Sequence, residues 1–372
     1  MKVLHINWSG KLGGAEKFAL DLASQQKSAT IAYMNKKLIL GEKAKENGIN
    51  VVEFNMGSGF DIINFIRYIF YIKHNKFDII HDHNGTPLVR LSKIFCPESV
   101  FIQHIHGTKL GNEKWERTYV ILWKRITNCL IDHYIANSNH TKRIAHKKEK
   151  IPLSRTSVIY NGIELSKFKK ADTQSANRIR KELGIKENEQ VIGTVSNLVP
   201  AKGIDKFICI AKEVKGAKFV IVGEGELRKE LEHLVISLGL KDTVIFAGAR
   251  EDVPAILSIF DLFLLTSNWE AFGITLIEAM AVGIPIIAFK IDGVSEVVDK
   301  GCGVLIPPKI DEAVKYINFI RENSDITKKM IDSGLRLVNE KFDIRKIATE
   351  IENIYNLNKL KWVHINCSSG RN

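Results

Sequence analysis

Residues 262–285 read LFLLTSNWEAFGITLIEAMAVGIP, and this stretch decides how the chain folds. Its apolar start, residues 262–266, predicts a strand, and a short loop then leads into a helix predicted from about Gly273 to Val282. Gly283 suits the left-handed position that follows a helix, and Pro285 prevents the helix from continuing. A strand that enters a helix through a short loop is the repeating unit of α/β proteins.

The same alternation runs through both halves of the chain. In the first half, strands are predicted at 2–7, 31–33, 51–54, 79–82, 100–106 and 134–137. In the second half, they are predicted at 191–196, 218–222, 243–247, 262–266, 284–288 and 303–306. Because helical segments separate these strands, each series predicts a doubly wound parallel sheet that binds ligands beyond the carboxyl ends of its strands. We therefore expect two Rossmann-like domains that face a cleft.

The domain boundaries follow from this repeat. We predict an N-terminal domain over 1–165, a C-terminal domain over 166–342, and a final segment, 343–372. That segment is predicted to contain a helix that packs back toward the N-terminal domain and a tail. Residues 361–372 carry no readable pattern.

Composition excludes several classes of protein. The net charge is +12, and residues 1–165 hold 24 lysines and arginines against 14 aspartates and glutamates, an excess that attracts anions. Five scattered cysteines without a CxxC pair argue against a disulfide framework. The first residues lack the apolar core of a signal peptide, and no uncharged apolar run reaches the roughly 18 residues that a spanning helix needs. Nucleic-acid-binding motifs are absent. We expect a cytoplasmic protein.

The amino end of the helix predicted near Gly273 is suited to bind a diphosphate. Backbone N–H groups of Phe272, Gly273 and Ile274 are expected to be free there. Glu270 and Glu278 lie on either side of this point in the sequence. Two carboxylates beside a diphosphate fit a sugar nucleotide, which carries hydroxyl groups on its sugar and on its ribose. The alternative is that Glu270 is only solvated and Glu278 only favours the helix dipole.

This stretch resembles the Glu-x7-Glu motif of the retaining glycosyltransferase family 4, which has the GT-B fold. The likeness extends to the flanking residues Gly273, Ala279, Met280, Gly283 and Pro285. It implies that Glu270 lies at the donor sugar and that Glu278 binds the ribose. It also implies that the C-terminal domain binds the nucleotide sugar and the N-terminal domain the acceptor.

Three further segments resemble the same family in the expected order. Gly13-Gly14-Ala15-Glu16 resembles the loop that lines the donor phosphates and the acceptor, which assigns Gly14 to the donor and Gly13 and Glu16 to the acceptor. His106 matches a histidine that faces the donor sugar. Gly223 begins a strand-end turn on the donor side. A lone strand-end histidine and two glycines before a helix are more often structural.

The loop that begins the second domain departs from the family pattern. Where relatives commonly carry an arginine, this chain has Asn197, so Lys202 alone is left to neutralise the donor diphosphate. We expect helix-end amides, or Lys109 or Arg250, to compensate. The departure also leaves open a degenerate relative that binds glycans or anions without catalysis.

No metal is expected to take part in the reaction. The chain lacks the Asp-x-Asp sequence with which other glycosyltransferases hold a metal diphosphate. In His81-Asp82-His83, alternate residues of a strand face opposite sides, so only the two histidines share a face and a metal site is disfavoured. The family implies transfer with retention, by front-face attack in which the departing diphosphate receives the acceptor proton.

The resemblance predicts a UDP- or GDP-sugar donor and a glycan or lipid-linked acceptor in surface polysaccharide or lipopolysaccharide synthesis. The alternatives are a sugar-nucleotide epimerase and a small-glycoside synthase. The basic segment 140–150 and the aromatic segment 65–71 predict peripheral contact with an anionic membrane surface at the inner face of the cell membrane. A solvated face and a core helix are the competing interpretations of these two segments.

Overall fold

The computed structural model describes residues 1–11, 13–57, 61–107, 114–298 and 301–369. The chain divides into two compact units. The N-terminal unit contains Met1–Gly162 and Ile344–Asn372, and the C-terminal unit contains Ile163–Asp343. In the described part of the chain, no helix is both long enough and apolar enough to cross a membrane.

The N-terminal unit is built on a seven-stranded parallel sheet. Its strand order is β3-β2-β1-β4-β5-β6-β7. The strands are β1 Val3–Asn7, β2 Ala29–Tyr33, β3 Asn50–Glu53, β4 Ile79–Asp82, β5 Val100–Ile105, β6 His133–Ala136 and β7 Thr156–Val158. The helices are α1 Gly14–Ser24, α2 Leu38–Glu46, α3 Ile62–Asn75, α4 Pro87–Phe95, α5 Lys114–Ile126, α6 Asn139–Glu149 and, from the end of the chain, α14 Ile344–Ser369.

The C-terminal unit repeats this plan with six parallel strands. Their order is β10-β9-β8-β11-β12-β13. The strands are β8 Gln190–Val195, β9 Ala217–Val222, β10 Val244–Gly248, β11 Leu262–Leu265, β12 Ile286–Phe289 and β13 Val304–Ile306. The helices are α7 Thr173–Glu182, α8 Ile204–Glu213, α9 Arg228–Ser237, α10 Val253–Leu257, α11 Ile274–Val282, α12 Ile310–Glu322 and α13 Ser324–Lys341. Two such parallel-sheet units are the GT-B fold, which confirms the predicted fold class.

Two elements differ from the sequence prediction. Strand β7 lies outside the strands predicted from sequence, because Thr156-Ser157-Val158 contains a single apolar residue and shows no alternation. Helix α14 runs on to Ser369, through a stretch in which no pattern was readable. Two contacts hold the later part of α14 against the rest of the N-terminal unit. Lys359 Nζ lies 2.8 Å from Asp78 Oδ1, and Trp362 Nε1 donates to the carbonyl oxygen of Pro97 at 2.9 Å.

Helix α14 completes one of the apolar cores of the N-terminal unit. Ile344, Ile347, Ile351 and Tyr355 are buried at intervals of three or four residues, which is the spacing of one helix face. They belong to the same buried cluster as Phe18 of α1 and residues of β1, β4 and β5. Helices α3 and α4 contribute to a separate cluster. One face of the sheet is therefore covered by α1 and α14.

Candidate functional site

Four loops of the C-terminal unit follow neighbouring parallel strands. Strands β9, β8, β11 and β12 lie side by side, so their carboxyl ends form one edge of the sheet. The loop after β8 carries Asn197 and Lys202, the loop after β9 begins with Gly223, and the loop after β11 carries Glu270. Most of the donor-site residues predicted for this unit thus follow a single sheet edge, where ligands of doubly wound sheets bind.

The centre of this edge is an ion pair between two of the predicted site residues. Lys202 Nζ lies 2.5 Å from Glu270 Oε2, and the two side chains are 23% and 14% exposed. Ser267 Oγ donates to the same carboxylate oxygen at 3.4 Å. Because the pair is largely shielded from water, its charges interact more strongly than those of a surface pair. An ammonium group is thereby held at the strand ends with a carboxylate beside it.

Hydrogen bonds fix the loops that carry this pair against each other. The N–H groups of Asn268 and Trp269 both donate to the carbonyl oxygen of Ala201, at 2.8 and 3.1 Å. Thr266 Oγ1 donates to the carbonyl oxygen of Gly203 at 2.9 Å. These bonds fix the spacing of the two loops from which Lys202 and Glu270 extend. Such a site is organised before a ligand arrives.

Gly203 is the residue that allows the two loops to approach this closely, and Gly203→Ala tests it. The backbone φ of Gly203 is +57°, and an added Cβ would lie 2.3 Å from the carbonyl oxygen of Thr266. We expect Gly203→Ala to lower the free energy of unfolding by about 2–4 kcal/mol, from left-handed strain and steric overlap. A urea titration measures this loss.

Gly216→Ala is the matched control for that substitution. Its φ is +73°, and an added Cβ would meet no described heavy atom within 4 Å. Only the conformational cost, about 1 kcal/mol, is expected there. Equal losses in the two variants would contradict the close packing inferred at Gly203.

Helix α11 begins one residue later than the sequence predicted. Gly273 is its N-cap, with φ +89°, and Ile274 is its first residue. The predicted cap Gly283 is confirmed, with φ +80°. The Phe272 side chain is 2% exposed and packs edge-on against Phe342, with ring centroids 6.0 Å apart. The aromatic ring thus anchors the loop in the core, and only the main chain of Phe272 is suited to a ligand.

Glu278 lies in the second turn of α11 and is only 4% exposed. Burying a carboxylate is costly unless polar groups compensate it, so a glutamate at this position is unusual for a helix that is otherwise apolar. This burial argues against the interpretation that Glu278 serves only the helix dipole.

The loops after β8 and β9 also approach closely. Gly223 has φ +136°, and an added Cβ would lie 1.9 Å from the carbonyl oxygen of Ser196. Asn197 follows Ser196 and is exposed. Of the two cations expected to compensate for the missing arginine, Arg250 is committed to Glu182 and Asp252, at 2.5 and 2.7 Å, so it does not serve that purpose. The other, Lys109, lies outside the described residues.

The predicted site residues of the N-terminal unit form two separate groups. Gly13 is the N-cap of α1, Gly14 is its first residue, and an added Cβ on Gly13 would lie 2.3 Å from Glu16 Oε2. The Glu16 carboxylate therefore folds back over the start of the helix, where the helix dipole favours an acidic group. This gives Glu16 a structural role beside the predicted contact with the acceptor.

His106 lies at the end of a row of five histidines on one face of the sheet. The others are His5 on β1, His81 on β4, His83 directly after β4, and His104 on β5. The prediction that His81 and His83 share a face is confirmed, but three further histidines join them. This cluster cannot be predicted from one stretch of sequence, because it depends on the register of three strands. The repeated His-x-His spacing at 81–83 and 104–106 is the sequence signal that could have indicated it.

Two family models match the chain. The Glycosyltransferase Family 4 model matches residues 12–167, and the Glycosyl transferases group 1 model matches residues 175–336. The chain is 29% identical over 304 residues to the UDP-Gal:alpha-D-GlcNAc-diphosphoundecaprenol alpha-1,3-galactosyltransferase of Escherichia coli, covering 76% of each chain. It is 27% identical over 302 residues to the N-acetyl-alpha-D-glucosaminyl L-malate synthase of Bacillus anthracis, covering 76% of this chain and 75% of that one.

A solved structure gives the same picture of the fold. The crystal structure of Anabaena Alr3699/HepE in complex with UDP and glucose superposes with a TM-score of 0.86 and 25% identity. The superposition covers 96% of this chain and 99% of that one. Each unit therefore shares its fold with this nucleotide-bound structure.

Proposed function

Because the chain belongs to the family 4 glycosyltransferases, we propose that it transfers a sugar from a UDP-linked donor, with retention at the anomeric carbon, to a lipid-linked or glycan acceptor of the cell surface. The observation that carries this proposal is the Lys202–Glu270 pair, with the buried Glu278 on the helix that follows. UDP is favoured over GDP because UDP appears in the names of the Escherichia coli relative and the Anabaena complex.

Each of these residues has a distinct role in the proposed reaction. Lys202 binds the diphosphate, and Glu270 accepts hydrogen bonds from sugar hydroxyls. Glu278 accepts hydrogen bonds from the ribose. Gly14, Gly223 and the main chain of 272–274 let backbone amides approach the donor. Asn197 offers a neutral donor in place of the missing arginine.

The chemical step needs no covalent enzyme intermediate. The bond between the anomeric carbon and the diphosphate oxygen breaks, while the acceptor hydroxyl oxygen bonds to the same face of that carbon. The proton of this hydroxyl passes to the departing diphosphate. Lys202 stabilises the negative charge that grows on the diphosphate, which is a large catalytic contribution in a shielded site. We assign His106 to the donor sugar and Gly13 and Glu16 to the acceptor because the family resemblance favours these roles.

A donor panel tests this proposal. Wild type, Glu270→Ala and Glu278→Ala are incubated with UDP- and GDP-sugars in the presence of EDTA, and hydrolysis and binding are measured. We expect one UDP-sugar to bind and to be slowly hydrolysed by the wild type without metal, and both substitutions to abolish this. Binding of no sugar nucleotide at millimolar concentration would overturn the proposal in favour of a non-catalytic anion-binding relative.

A small-glycoside synthase is the second candidate function, favoured by the Bacillus anthracis relative. That relative is named for a product formed with L-malate, a small hydroxy acid. Once the panel has identified the donor, transfer to small hydroxy acids and to polyprenyl diphosphate sugars is compared. Transfer to the lipid-linked acceptor supports the first proposal, and transfer to the hydroxy acid alone supports the second.

The outer surface of α3, α4 and α5 supports a membrane-bound acceptor. Helix α4 packs between α3 and α5. Large apolar side chains are exposed on all three helices, namely Ile62, Ile63, Ile66, Phe70, Ile94, Phe95, Leu122 and Ile126. Contiguous exposed apolar side chains of this kind mark interaction sites. Basic groups accompany them, since Arg67 is exposed and Lys73 Nζ lies 5.9 Å from the ring of Phe95. An anionic lipid surface fits both features.

The two segments predicted to contact a membrane differ in how their side chains are used in the folded unit. In segment 65–71, Phe65 and Tyr68 are core residues while Ile66 and Phe70 are exposed, so the core and surface interpretations both hold in part. In segment 140–150, Lys142 Nζ donates to the carbonyl oxygen of Thr156 at 2.7 Å. The Lys142 ammonium group therefore stabilises the folded unit.

We expect the double variant Ile63→Asp, Phe70→Asp to lose at least about tenfold in partitioning to vesicles that contain phosphatidylglycerol, because two inserted apolar groups become anionic. Sedimentation with vesicles measures this. Ile236→Asp, which replaces an exposed apolar residue on α9 of the other unit, is the control and should bind like wild type. Equal binding by the double variant, or no binding by the wild type, would contradict the assignment.

A further inference from the structure

The five-histidine row contains three imidazoles whose nitrogens converge. His5, His81 and His83 are each buried, and one ring nitrogen from each lies within 4.8 Å of the others. His5 Nδ1 and His83 Nε2 are 3.0 Å apart. Tetrahedral zinc with bonds near 2.0–2.1 Å places its nitrogen ligands roughly 3.3 Å apart. The spacing is therefore close to that of a metal site.

The arrangement at the strands is also that of a metal site. His81 lies on β4 directly opposite His5 on the adjacent β1. His83 is the first residue after β4, and its N–H donates to the carbonyl oxygen of Ile6 on β1 at 3.0 Å. Alternate residues of an extended chain face the same side of a sheet, so His83 lies on the side of His81 and His5. Backbone hydrogen bonds to β1 therefore position all three residues.

The outward-facing nitrogen of each ring has a partner that orients the ring. His5 Nε2 donates to Gln26 Oε1 at 2.7 Å, and His81 Nδ1 lies 2.6 Å from the Tyr355 hydroxyl. His83 Nδ1 lies 3.1 Å from His106 Nε2. Histidines that bind metals almost always engage their second nitrogen in this way, which fixes the tautomer and the ring orientation.

Two of the three inward-facing nitrogens, His5 Nδ1 and His81 Nε2, carry unshared electron pairs, and His83 Nε2 donates a hydrogen bond to His5 Nδ1 at 3.0 Å. Since Gln26 Oε1 only accepts, His5 carries its proton on Nε2 and Nδ1 is unprotonated. His81 Nε2 is buried and has no hydrogen-bond partner among the described residues. Neutral imidazole, with one unprotonated ring nitrogen, is the form that binds transition metals.

From this geometry we infer that His5, His81 and His83 form a site for a zinc-class transition-metal ion inside the N-terminal unit. The ligand atoms are His5 Nδ1, His81 Nε2 and His83 Nε2. For His83 to bind through Nε2, its proton moves to Nδ1, which then donates to His106 Nε2, and the proton of His106 moves to its own Nδ1. The ligands thus release no net proton. Imidazole ligands favour zinc, copper and nickel over magnesium or calcium.

This site is separate from the donor site, which lies in the C-terminal unit. The proposed ion takes no part in the transfer reaction, for which no metal is predicted. Sequence analysis disfavoured a metal at 81–83 because only two histidines shared a face, and the third ligand, His5, lies 76 residues earlier in the chain. The proposed ion links β1 to β4 and, through Tyr355, orients α14. Its role is therefore structural support of the N-terminal unit.

Metal content and affinity test the site in the full chain, purified without a histidine tag. After chelator treatment, Zn²⁺ titration by calorimetry is expected to show one ion per chain. His5→Gln should abolish this binding. Tyr355→Phe, which keeps the packing of the ring, should weaken it by about 10- to 100-fold. His233→Gln removes an exposed histidine of the other unit and should bind as wild type does.

His104→Gln distinguishes this site from the neighbouring triad of His83, His104 and His106, whose ring nitrogens also lie within 4.8 Å of one another. Retained binding in His104→Gln supports the assignment, and binding lost there but kept in His5→Gln would overturn it. Absence of stoichiometric binding by the wild type, or equal affinity in wild type and Tyr355→Phe, would also overturn it. None of these outcomes depends on glycosyl transfer.

Discussion

Replacing Lys202 with methionine is expected to lower kcat/KM for the sugar-nucleotide donor by roughly 10²- to 10³-fold, the loss typical when one preorganised charge-stabilising group is removed. The ammonium group is the cation nearest to Glu270 in the described structure of the strand edge, at 2.5 Å. In the proposed donor complex, removing this ammonium group leaves the Glu270 carboxylate close to the diphosphate, which it repels. Both the ground state and the transition state lose stabilisation, but the transition state loses more because the diphosphate gains charge as it departs.

Steady-state transfer assays check this expectation, with Lys212→Met as the matched control. Lys212 is an exposed lysine at the end of α8, so its removal changes the net charge equally and leaves the site intact. The double variant Lys202→Met, Glu270→Gln should lose less than the product of the two single losses, since removing the carboxylate relieves its repulsion of the diphosphate. If the loss of kcat/KM in the double variant equals the product of the two single losses, Lys202 and Glu270 act independently.

Replacing Glu278 with glutamine is expected to raise KM for the donor by about 10- to 100-fold and to leave kcat within a few fold. A carboxylate can accept two hydrogen bonds from the vicinal hydroxyls of a ribose, whereas an amide offers one acceptor oxygen. Hydrogen bonds to charged groups contribute about 1.5–3 kcal/mol, which corresponds to this range of affinity. The ribose does not change during transfer, so ground state and transition state lose equally.

Equilibrium binding of UDP to Glu278→Gln separates this role from a structural one. Glu230→Gln, an exposed carboxylate in the first turn of α9, is the control and should bind UDP as wild type does. A Glu278→Gln protein that keeps its stability and its affinity for UDP would remove Glu278 from the donor site.

The parts of this site that could be predicted from sequence are those in which local chain conformation decides the outcome. The strand–loop–helix pattern around Glu270 depends on apolar runs, a capping glycine and a proline, and all three act over a few residues. Gly283 was predicted to be left-handed and has a φ of +80°. Family resemblance then assigned Lys202 and Glu270, which are 68 residues apart in the chain, to the same donor site.

The features of the site that could not be predicted from sequence depend on contacts between residues that are far apart in the chain. Arg250 was a reasonable cation for the diphosphate until Glu182, from a distant helix, was found to pair with it. The histidine cluster needed the register of three strands, and a shift of one residue in any of them would have turned its histidines to the opposite face. Strand pairing is set by the whole sheet, so such clusters become visible only in three dimensions.

The position of α14 in the chain bears on how the protein is made. This helix supplies Ile351 and Tyr355 to a core that also contains Phe18, which is synthesised more than three hundred residues earlier. On the ribosome, the C-terminal unit is complete at Asp343 and is free to fold first, while the unit that emerged before it still exposes the face that α14 will cover. The C-terminal unit can therefore complete its core before the N-terminal unit does, the reverse of the usual N-to-C order of domains during translation. Until α14 has been synthesised, the N-terminal unit exposes apolar surface and needs protection from aggregation.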